Sequence, residues 1–553
     1  MRKRFSRTAA LVLAGVIAAG ALTGCGNGGK SNSGQTQAVS TETGSTDAGA
    51  SETTAVSVSE DAGLHNLEDG VLDIGTGITW DTLTPLRSNV GNNAPFAMAA
   101  YETLARLTEN KEYIPQVAKS WVAGEDGKTF DVEIYDYVTD SAGNAITASD
   151  IVWMIKLQQE AALKPAFAKV ESVEQTGDYT LRITMKKDMV GAFEAILTNT
   201  FVVSQKAYEE SKDQFATEII STSPYKVTEF VSGSVLSFEK RDDYWQKPEL
   251  IPEKTAANVD KLSFHVIKEA SQAGIALETG DIDAFVQLDQ NTAVQFVDNP
   301  AFSMEANSYI NGYQLYFSGG DNRNIATDEN LRKAICYAID TDGLIKGVFA
   351  GYGKSMHDPI ADTSVGYLEK WKDEEYYPYD VEKAKELISQ SNYKGEELEF
   401  LATSSSTTQR ICQMIQGYLL QVGINVKLNL VDQALYTATR LDGTQYDMTI
   451  NTVGGETLPD HWSIRYDYQA YKTGDATARH DEALGELLYK TWTKEGFTEE
   501  NIDEVHNYLK DHMYAYGMVQ PENIDVWRTD LGITKTVHTN KGSIDFTSCQ
   551  YQE

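Results

Sequence analysis

The stretch Asp126-Gly127-Lys128-Thr129-Phe130-Asp131-Val132-Glu133-Ile134 decides the fold class, together with Thr147-Ala148-Ser149-Asp150 after it. The Asp-Gly dipeptide is typical of a turn, and residues 129–134 alternate between polar and apolar, which indicates a strand. Thr147-Ala148-Ser149-Asp150 is typical of a helix cap and predicts a helix through about Ala161. Alternation returns at residues 181–185. Strand, helix and strand in succession predict a mixed α/β fold.

Similar elements continue along the rest of the chain, with no repeat period. Apolar patterns predict these further strands and helices: strands at 71–75, 235–239, 262–267, 425–430 and 446–451, and helices at 94–107, 271–279, 328–348, 380–390 and 408–422. The elements are separated by long insertions, which is consistent with two lobes.

Five stretches together resemble one family, the extracellular solute-binding proteins of ATP-binding-cassette (ABC) importers, in the oligopeptide, dipeptide and nickel class known as family 5. They occur in the order and with the spacings of that family, over roughly residues 70–530. The stretches are Tyr101-Glu102-Thr103-Leu104 with residues 114–121, 126–130 and 146–152; Thr222-Ser223-Pro224-Tyr225-Lys226-Val227 with residues 241–245; residues 277–283; residues 331–340; and residues 379–387 with 422–426.

The resemblance implies an α/β, bilobed, periplasmic-binding-protein-like fold of type II, in the large class with an extra subdomain. It implies lobe I at 67–310 with the extra subdomain at 102–214, lobe II at 311–520, and a return to lobe I at 521–553. The expected two-segment hinge lies at 309–311 and 520–522. One departure is Ser221-Thr222-Ser223, where the family has Gly-Thr-Gly. Loss of glycine there predicts a different local geometry.

Composition limits the classes of function. The chain of 553 residues has 47 Lys+Arg against 81 Asp+Glu, a formal net charge of −34, and a hydrophobic fraction of 41%. That hydrophobic fraction is typical of globular proteins. A surface this acidic repels polyanions, so we expect no nucleic-acid partner. Four Cys in a chain of this length exclude a scaffold built on disulfides.

The first residues have the pattern of an export signal. A basic segment with Arg2, Lys3 and Arg4 precedes an apolar run from Ala9 to Leu22, which is too short to span a bilayer. Leu22-Thr23-Gly24-Cys25 resembles the bacterial lipobox. The sequence therefore predicts a signal peptide at 1–24, lipidation of Cys25, and a flexible Gly/Ser/Thr-rich tether at 25–66. The expected location is the cell membrane, lipid-anchored and facing outside.

The remaining motifs indicate neither a catalytic site nor a metal or nucleotide site. Gly353-Lys354-Ser355 ends like a phosphate-binding loop, but it follows a predicted helix, so we interpret it as a helix C-terminal loop. None of the eight His has zinc-ligand spacing, and no hydrolase motif occurs. We predict no metal, no cofactor and no catalytic residue. Among the Cys, Cys336 fits a small buried hydrophobe on a helix.

The candidate ligand-binding residues follow from the resemblance. In peptide-binding relatives, a cleft loop before a proline holds an acid that pairs with the α-ammonium of the peptide. Glu456 is the first candidate and Asp460 the second, although the spacing to Pro459 departs from the family and makes a solvated loop acid equally plausible. A buried ammonium needs such a counter-charge. His461 lies in the same expected cleft loop, and an ordinary core or surface histidine is the alternative.

The opposite wall is expected at Asn89, Val90 and Gly91, which match a segment that hydrogen-bonds extended peptide in relatives. A peptide there would add like a strand. Trp80, Trp462 and Tyr466 are candidate aromatic walls, with buried core aromatics as the alternative.

The sequence therefore predicts the substrate-binding lipoprotein of an ABC importer. The expected protein is not an enzyme; it is a monomer that captures short peptides between two closing lobes and delivers them to a membrane permease with its ATPase. The alternatives are another solute, such as an oligosaccharide or a nickel complex, a secreted hydrolase, or a peptide-sensing receptor.

Overall fold

A computed structural model describes residues 62–67, 69–86, 95–108, 110–308, 312–320, 322–453, 457–467, 481–539 and 542–552. All of them lie within the compact unit Ala55–Glu553. Its strands are β1 Leu72–Thr76, β2 Ala105–Leu107, β3 Tyr113–Pro115, β4 Ala118–Ala123, β5 Thr129–Ile134, β6 Val170–Gly177, β7 Thr180–Met185, β8 Tyr225–Val231, β9 Val235–Lys240, β10 Lys261–Val266, β11 Ala284–Leu288, β12 Phe302–Ser308, β13 Gly312–Phe317, β14 Gly353–Ser355, β15 Leu398–Thr403, β16 Val426–Val431, β17 Met448–Val453, β18 Ala515–Arg528, β19 Ile533–Lys535 and β20 Gln550–Tyr551.

The α-helices cover the following residues: α1 Pro95–Ala100, α2 Ala148–Ala161, α3 Ala192–Asn199, α4 Gln205–Glu210, α5 Ala270–Thr279, α6 Gln290–Ala293, α7 Asn324–Thr327, α8 Glu329–Ala338, α9 Thr341–Phe349, α10 Val381–Gln390, α11 Ser406–Gln421, α12 Gln433–Arg440, α13 Leu458–Tyr466, α14 Glu482–Lys490 and α15 Glu499–His512. None of the helices in the described ranges is long and apolar enough to cross a bilayer.

One long strand joins the two lobes. β18 pairs antiparallel with β13 up to Val519, with β14 at residues 519–521, and with β12 from Glu522 onward. From β18 the sheet continues through β11, β1, β10, β9 and β8 in one direction and through β13, β17, β15 and β16 in the other. The expected hinge segment 520–522 therefore lies inside a continuous strand at the point where its partners change, whereas 309–311 lies outside the described residues.

Each lobe has its own core. One core draws its buried apolar residues from 315–519, and a second draws them from 72–286 and 527–549. A four-stranded antiparallel sheet in the order β4-β5-β7-β6 stands apart, over a third core with members from 104–245. We call β4–β7 with α2 and α3 the four-stranded subdomain. The lobe boundaries drawn from the sequence stay predictions.

Residues of the family-like stretches hold this architecture together. The Glu102 carboxylate accepts hydrogen bonds from the Tyr244 hydroxyl at 2.5 Å and the Trp245 indole at 2.9 Å. The buried Arg241 guanidinium donates to the carbonyls of Ser223 and Asp140 at 3.1 and 2.9 Å. These charge-assisted bonds join residues 102 and 140 to the stretch 241–245, more than a hundred positions along the chain.

The serines that replace the family's glycines have a structural use. Neither Ser221 nor Ser223 has a positive φ, so the backbone does not require glycine there. Their buried hydroxyls donate to the carbonyls of Ala100 and Ala99 at 2.7 and 2.6 Å, at the C-terminal end of α1. The side chains thus satisfy helix-end carbonyls that glycine would leave to other donors.

Local predictions were partly wrong at helix ends. The helix predicted from the cap at Thr147 is confirmed as α2, with both capping-box bonds present. The helix predicted at 94–107 ends at Ala100, and residues 105–107 are β2, because they pair with β3. The helix predicted at 328–348 is two helices, since the Asp340 side chain caps α9 by accepting the Gly343 N–H.

The cysteines of the described residues are Cys336, Cys412 and Cys549, and all are free and buried. Cys336 and Cys412 belong to the 315–519 core, which confirms Cys336 as a small core residue.

Candidate ligand cleft

The predicted ligand-binding residues divide into two groups. Asn89, Val90, Gly91 and Glu456 lie outside the described residues, as does the predicted lipidation site Cys25. Trp80, Asp460, Trp462 and Tyr466 are described, and the last three share α13. Their roles in binding stay predictions.

Helix α13 begins at a buried threonine with a proline in its first turn. Pro459 suits that position because its missing N–H has no helical partner there. The helix docks on the segment 358–367, since the Leu458 N–H donates to the Val365 carbonyl at 3.1 Å. This docking leaves the Asp460 side chain partly exposed in the first turn of α13.

Asp460 is already paired within the chain. Its carboxylate forms an ion pair with the Lys169 ammonium of the four-stranded subdomain, and the two side chains are 29% and 25% exposed. A partly buried carboxylate needs such a counter-charge. Asp460 could bind a ligand ammonium only if its ion pair with Lys169 were broken.

The aromatic candidates are buried. Trp462 and Tyr466 belong to a core with α14 and α15, and Trp80 packs on Phe96 with ring centroids 4.4 Å apart. The indole N–H groups of Trp80 and Trp462 and the Tyr466 hydroxyl are buried without a hydrogen-bond partner among the described residues. Buried polar groups of this kind are usually satisfied, so they mark positions where a further partner would be favourable.

His461 is a buried residue of α13, and its imidazole is uncharged. Burial, and then the neighbouring Arg465 guanidinium, lowers the pKa of the imidazole to about 3, while the Pro359 backbone hydrogen-bonds to it. His461 therefore stays uncharged at neutral pH and tethers α13 to the segment that carries Pro359.

A cavity of about 490 Å³ lies beside the point where β18 crosses between the lobes. Its walls come from α9, β14, the segment 356–372 and Gln520 of β18. Cavities of this size are typical of small-ligand sites. It adjoins the segment on which α13 docks, so the predicted site helix and this cavity belong to one region of lobe II.

Lys354 connects the two lobes at this cavity. Its ammonium donates to the hydroxyl of Ser308, the last residue of β12, at 2.9 Å and pairs with Asp362 at 2.7 Å. Burial disfavours the ionised form of Asp362, but Lys354 and Lys372 outweigh it and hold the pKa of that carboxyl below its usual value. The second Asp362 oxygen has no hydrogen-bond partner among the described residues.

The charge of the cavity differs from that of the chain. Three lysines and His357 line it, against two aspartates, in a protein of net charge −34. The lysines favour a carboxylate inside the cavity, whereas the net negative charge of the whole protein repels anions at longer range. The charged lining is Lys346, Lys354, Lys372, Asp342 and Asp362.

Sequence reasoning missed Lys354, Asp362 and Gln520. The one available signal was Gly353-Lys354-Ser355, which was interpreted as a helix C-terminal loop; the structure instead forms β14 there, because residues 353–355 pair with residues 519–521. Within the described ranges, no group of three or more His, Cys, Asp or Glu side chains is placed to hold a metal ion.

Comparison with known proteins identifies the family. Residues 112–475 match the family model described as bacterial extracellular solute-binding proteins, family 5 Middle. The glutathione-binding protein GsiB of Pectobacterium atrosepticum is 24% identical over 380 residues, which cover 66% of this chain and 70% of GsiB.

Solved structures share the fold. AppA of Bacillus subtilis, an oligopeptide-binding protein in complex with a nonapeptide, has a TM-score of 0.70 at 16% identity, over 88% of this chain and 99% of AppA. NikA of Brucella suis in complex with Fe(III)-EDTA has a TM-score of 0.74 at 20% identity, over 87% of this chain and 99% of NikA. The predicted bilobed, periplasmic-binding-protein-like fold is thereby confirmed, and the chain belongs to the bacterial extracellular solute-binding proteins of family 5.

Proposed function

We propose that the chain is the substrate-binding lipoprotein of an ABC importer and that it captures short peptides between its closing lobes. The family match carries the solute-binding part of this proposal. We propose as well that it delivers the peptide to a membrane permease with its ATPase, acts as a monomer and carries out no catalytic step; membership in a family of solute-binding proteins supports the delivery role. The signal sequence and Cys25 support a lipid anchor outside the cytoplasmic membrane.

Short peptides are supported by the relatives and by the charge of the cavity. GsiB is named for glutathione, which is a tripeptide, and AppA holds a nonapeptide. The lysine-rich cavity beside β18 suits a carboxylate, and an acid at the other end of the site would complete a zwitterion-binding arrangement. The lysines that line this cavity are the observation that favours a carboxylate-bearing ligand, such as a peptide, over a neutral sugar.

The ligand-binding residues that we propose are those that the sequence predicts. Glu456 is the first choice for the α-ammonium, because Asp460 is occupied by Lys169. Asn89, Val90 and Gly91 would bond the peptide backbone, as an added strand does. Trp80, Trp462 and Tyr466 would form apolar walls with polar edges.

Calorimetric titration of the ligand-stripped full chain tests this proposal. A pool of unmodified di- to pentapeptides should bind, whereas the same pool with acetylated amino termini should bind at least about tenfold more weakly, since the ammonium is lost. Glu456→Gln should reduce binding of the unmodified pool by a similar factor. Glu500→Gln, at an exposed acid in the first turn of α15, is the matched control and should change nothing.

The alternative solutes are outcomes of the same titration. Structures with Fe(III)-EDTA in NikA and Ni(L-His) in NikZ of Campylobacter jejuni share the fold. Binding of a nickel–histidine complex or an oligosaccharide, with no heat from the peptide pool, would overturn the peptide proposal.

A further inference from the structure

The four-stranded subdomain contacts lobe II through residues outside the strands that cross between the lobes. Two groups of residues meet there: residues 169–191 of the subdomain, and residues 457–467 with 481–492 of lobe II. They contribute the side chains of Lys169 and Lys187 on one side and of Asp460 and Trp492 on the other. Neither segment is needed to build the sheet that joins the lobes. The pairing of strands in that sheet therefore does not account for this contact.

Three different interactions occur within this contact. Besides the Lys169–Asp460 ion pair, the Val190 N–H donates to the Trp492 carbonyl at 2.7 Å, and the Lys187 ammonium lies 4.3 Å above the Trp492 ring. A backbone hydrogen bond, an ion pair and a cation–π contact require close and specific approach. The two surfaces are therefore complementary at the level of individual groups, which indicates a specific contact between the lobes.

Gly191 shows how close the approach is. Its φ is +83°, and a Cβ atom there would come within 2.5 Å of the Thr457 methyl carbon. A side chain at this position would hold the two segments apart. The start of α3 thus lies directly against the start of α13.

We propose that these contacts form a latch, consisting of Lys169, Lys187, Val190 and Gly191 against Thr457, Asp460 and Trp492. The latch holds the lobes closed over the cleft, and the Lys169–Asp460 pair sets how long the closed arrangement lasts. Closure in bilobed proteins is an equilibrium between hinged states, so contacts made only in the closed state shift it. The latch makes Asp460 a closure residue and leaves Glu456 for the ligand.

The proposal rests on the bilobed fold and is independent of which solute is bound. Its first readout is hydrogen exchange of the Val190 amide in the purified full chain, followed by mass spectrometry. Lys169→Glu and Asp460→Lys should each speed that exchange about tenfold or more, because each leaves a partly buried charge facing a like charge. Amides within β5 and β7 should keep their exchange rates, which shows that the subdomain stays folded.

Charge exchange and a matched control make the test specific. The double variant Lys169→Glu/Asp460→Lys restores opposite charges and should return Val190 exchange to within about threefold of the wild type. Lys186→Glu is the control, because the exposed Lys186 ammonium donates only to the Ala168 carbonyl of its own subdomain at 2.8 Å. Unchanged exchange in the single variants, or no recovery in the double variant, would overturn the latch.

A distance measurement supplies the second readout. Nitroxide labels on cysteines introduced at the exposed residues Gln175 and Lys494 report the separation across the latch, since the native cysteines of the described residues are buried. The single variants should move the distance distribution to longer values, and the double variant should move it back. Peptide binding that fails while these shifts occur would refute the proposed ligand and leave the latch standing.

Discussion

The buried carboxylate of Glu102 makes a prediction about pH. Glu102 is 4% exposed, and burial raises its pKa from 4.5 to about 7, although bonds from Tyr244 and Trp245 oppose this rise. The folded state thus binds the proton more tightly than the unfolded state. The unfolding free energy should therefore fall as the pH rises from about 4.5 to about 7, and level off above that.

The size of the effect follows from these two pKa values. One pKa unit corresponds to about 1.4 kcal/mol, and between pH 5 and pH 8 the linkage amounts to roughly 2 to 3 kcal/mol. Glu102→Gln keeps the shape of the side chain and removes the charge. Its amide oxygen can accept the Trp245 N–H while its NH₂ donates to the Tyr244 oxygen.

Urea unfolding of the full chain at pH 5, 6, 7 and 8 measures this difference. Relative to wild type, Glu102→Gln should gain stability as the pH rises, by roughly 2 to 3 kcal/mol over the range. Glu174→Gln, at an exposed position of β6, should differ from wild type by a constant amount. A constant difference for Glu102→Gln, or a gain of the wild type at high pH, would refute the reasoning.

Three further substitutions test packing and binding. Ser223→Ala removes the hydroxyl that donates to the Ala99 carbonyl and should lower the unfolding free energy by about 1 kcal/mol in urea denaturation; an unchanged midpoint would contradict this. Arg332→Met removes a buried guanidinium that donates to four backbone carbonyls and should cost about 3 kcal/mol or more, whereas a loss below about 1 kcal/mol would refute its tethering role. Lys354→Met should weaken binding of carboxylate-bearing solutes about tenfold in calorimetry, with Lys385→Met on α10 as the unaffected control.

Local patterns predicted the elements better than their ends. Thr147 and Asp150 sit three residues apart and bond each other's backbone, so the start of α2 was readable from the sequence. The end of α1 was not, because β2 forms only through its pairing with β3. The break before α9 had a readable signal in Asp340, whose carboxylate caps the following helix.

The family-like stretches predicted the fold because their residues hold it together. Glu102 accepts bonds from Tyr244 and Trp245, and the Arg332 guanidinium binds the carbonyls at the end of α15. Such contacts fix the spacing between these stretches in the folded chain. Ligand selectivity has no comparable requirement, so the same stretches say little about which solute binds.

The contacts at the candidate site depend on residues that are far apart in the sequence, so no local sequence pattern predicts them. Asp460 pairs with Lys169 across 291 positions, and Lys354 reaches Ser308 and Asp362 from a strand that exists only through β18. The Gly-Lys-Ser sequence marked the cavity wall without indicating its use. The sequence therefore predicted a candidate helix and loop for the site, which stay predictions, and the pairings within them came from the folded chain.

Mass spectrometry of small molecules that co-purify with the full chain tests the central claim most directly. The protein is purified without added solute and then denatured, and the released molecules are identified. A mixture of short peptides, depleted in Glu456→Gln and unchanged in Glu500→Gln, is the predicted result. Release of a single sugar or a metal chelate, or of no small molecule, would contradict the claim that the cleft captures peptides.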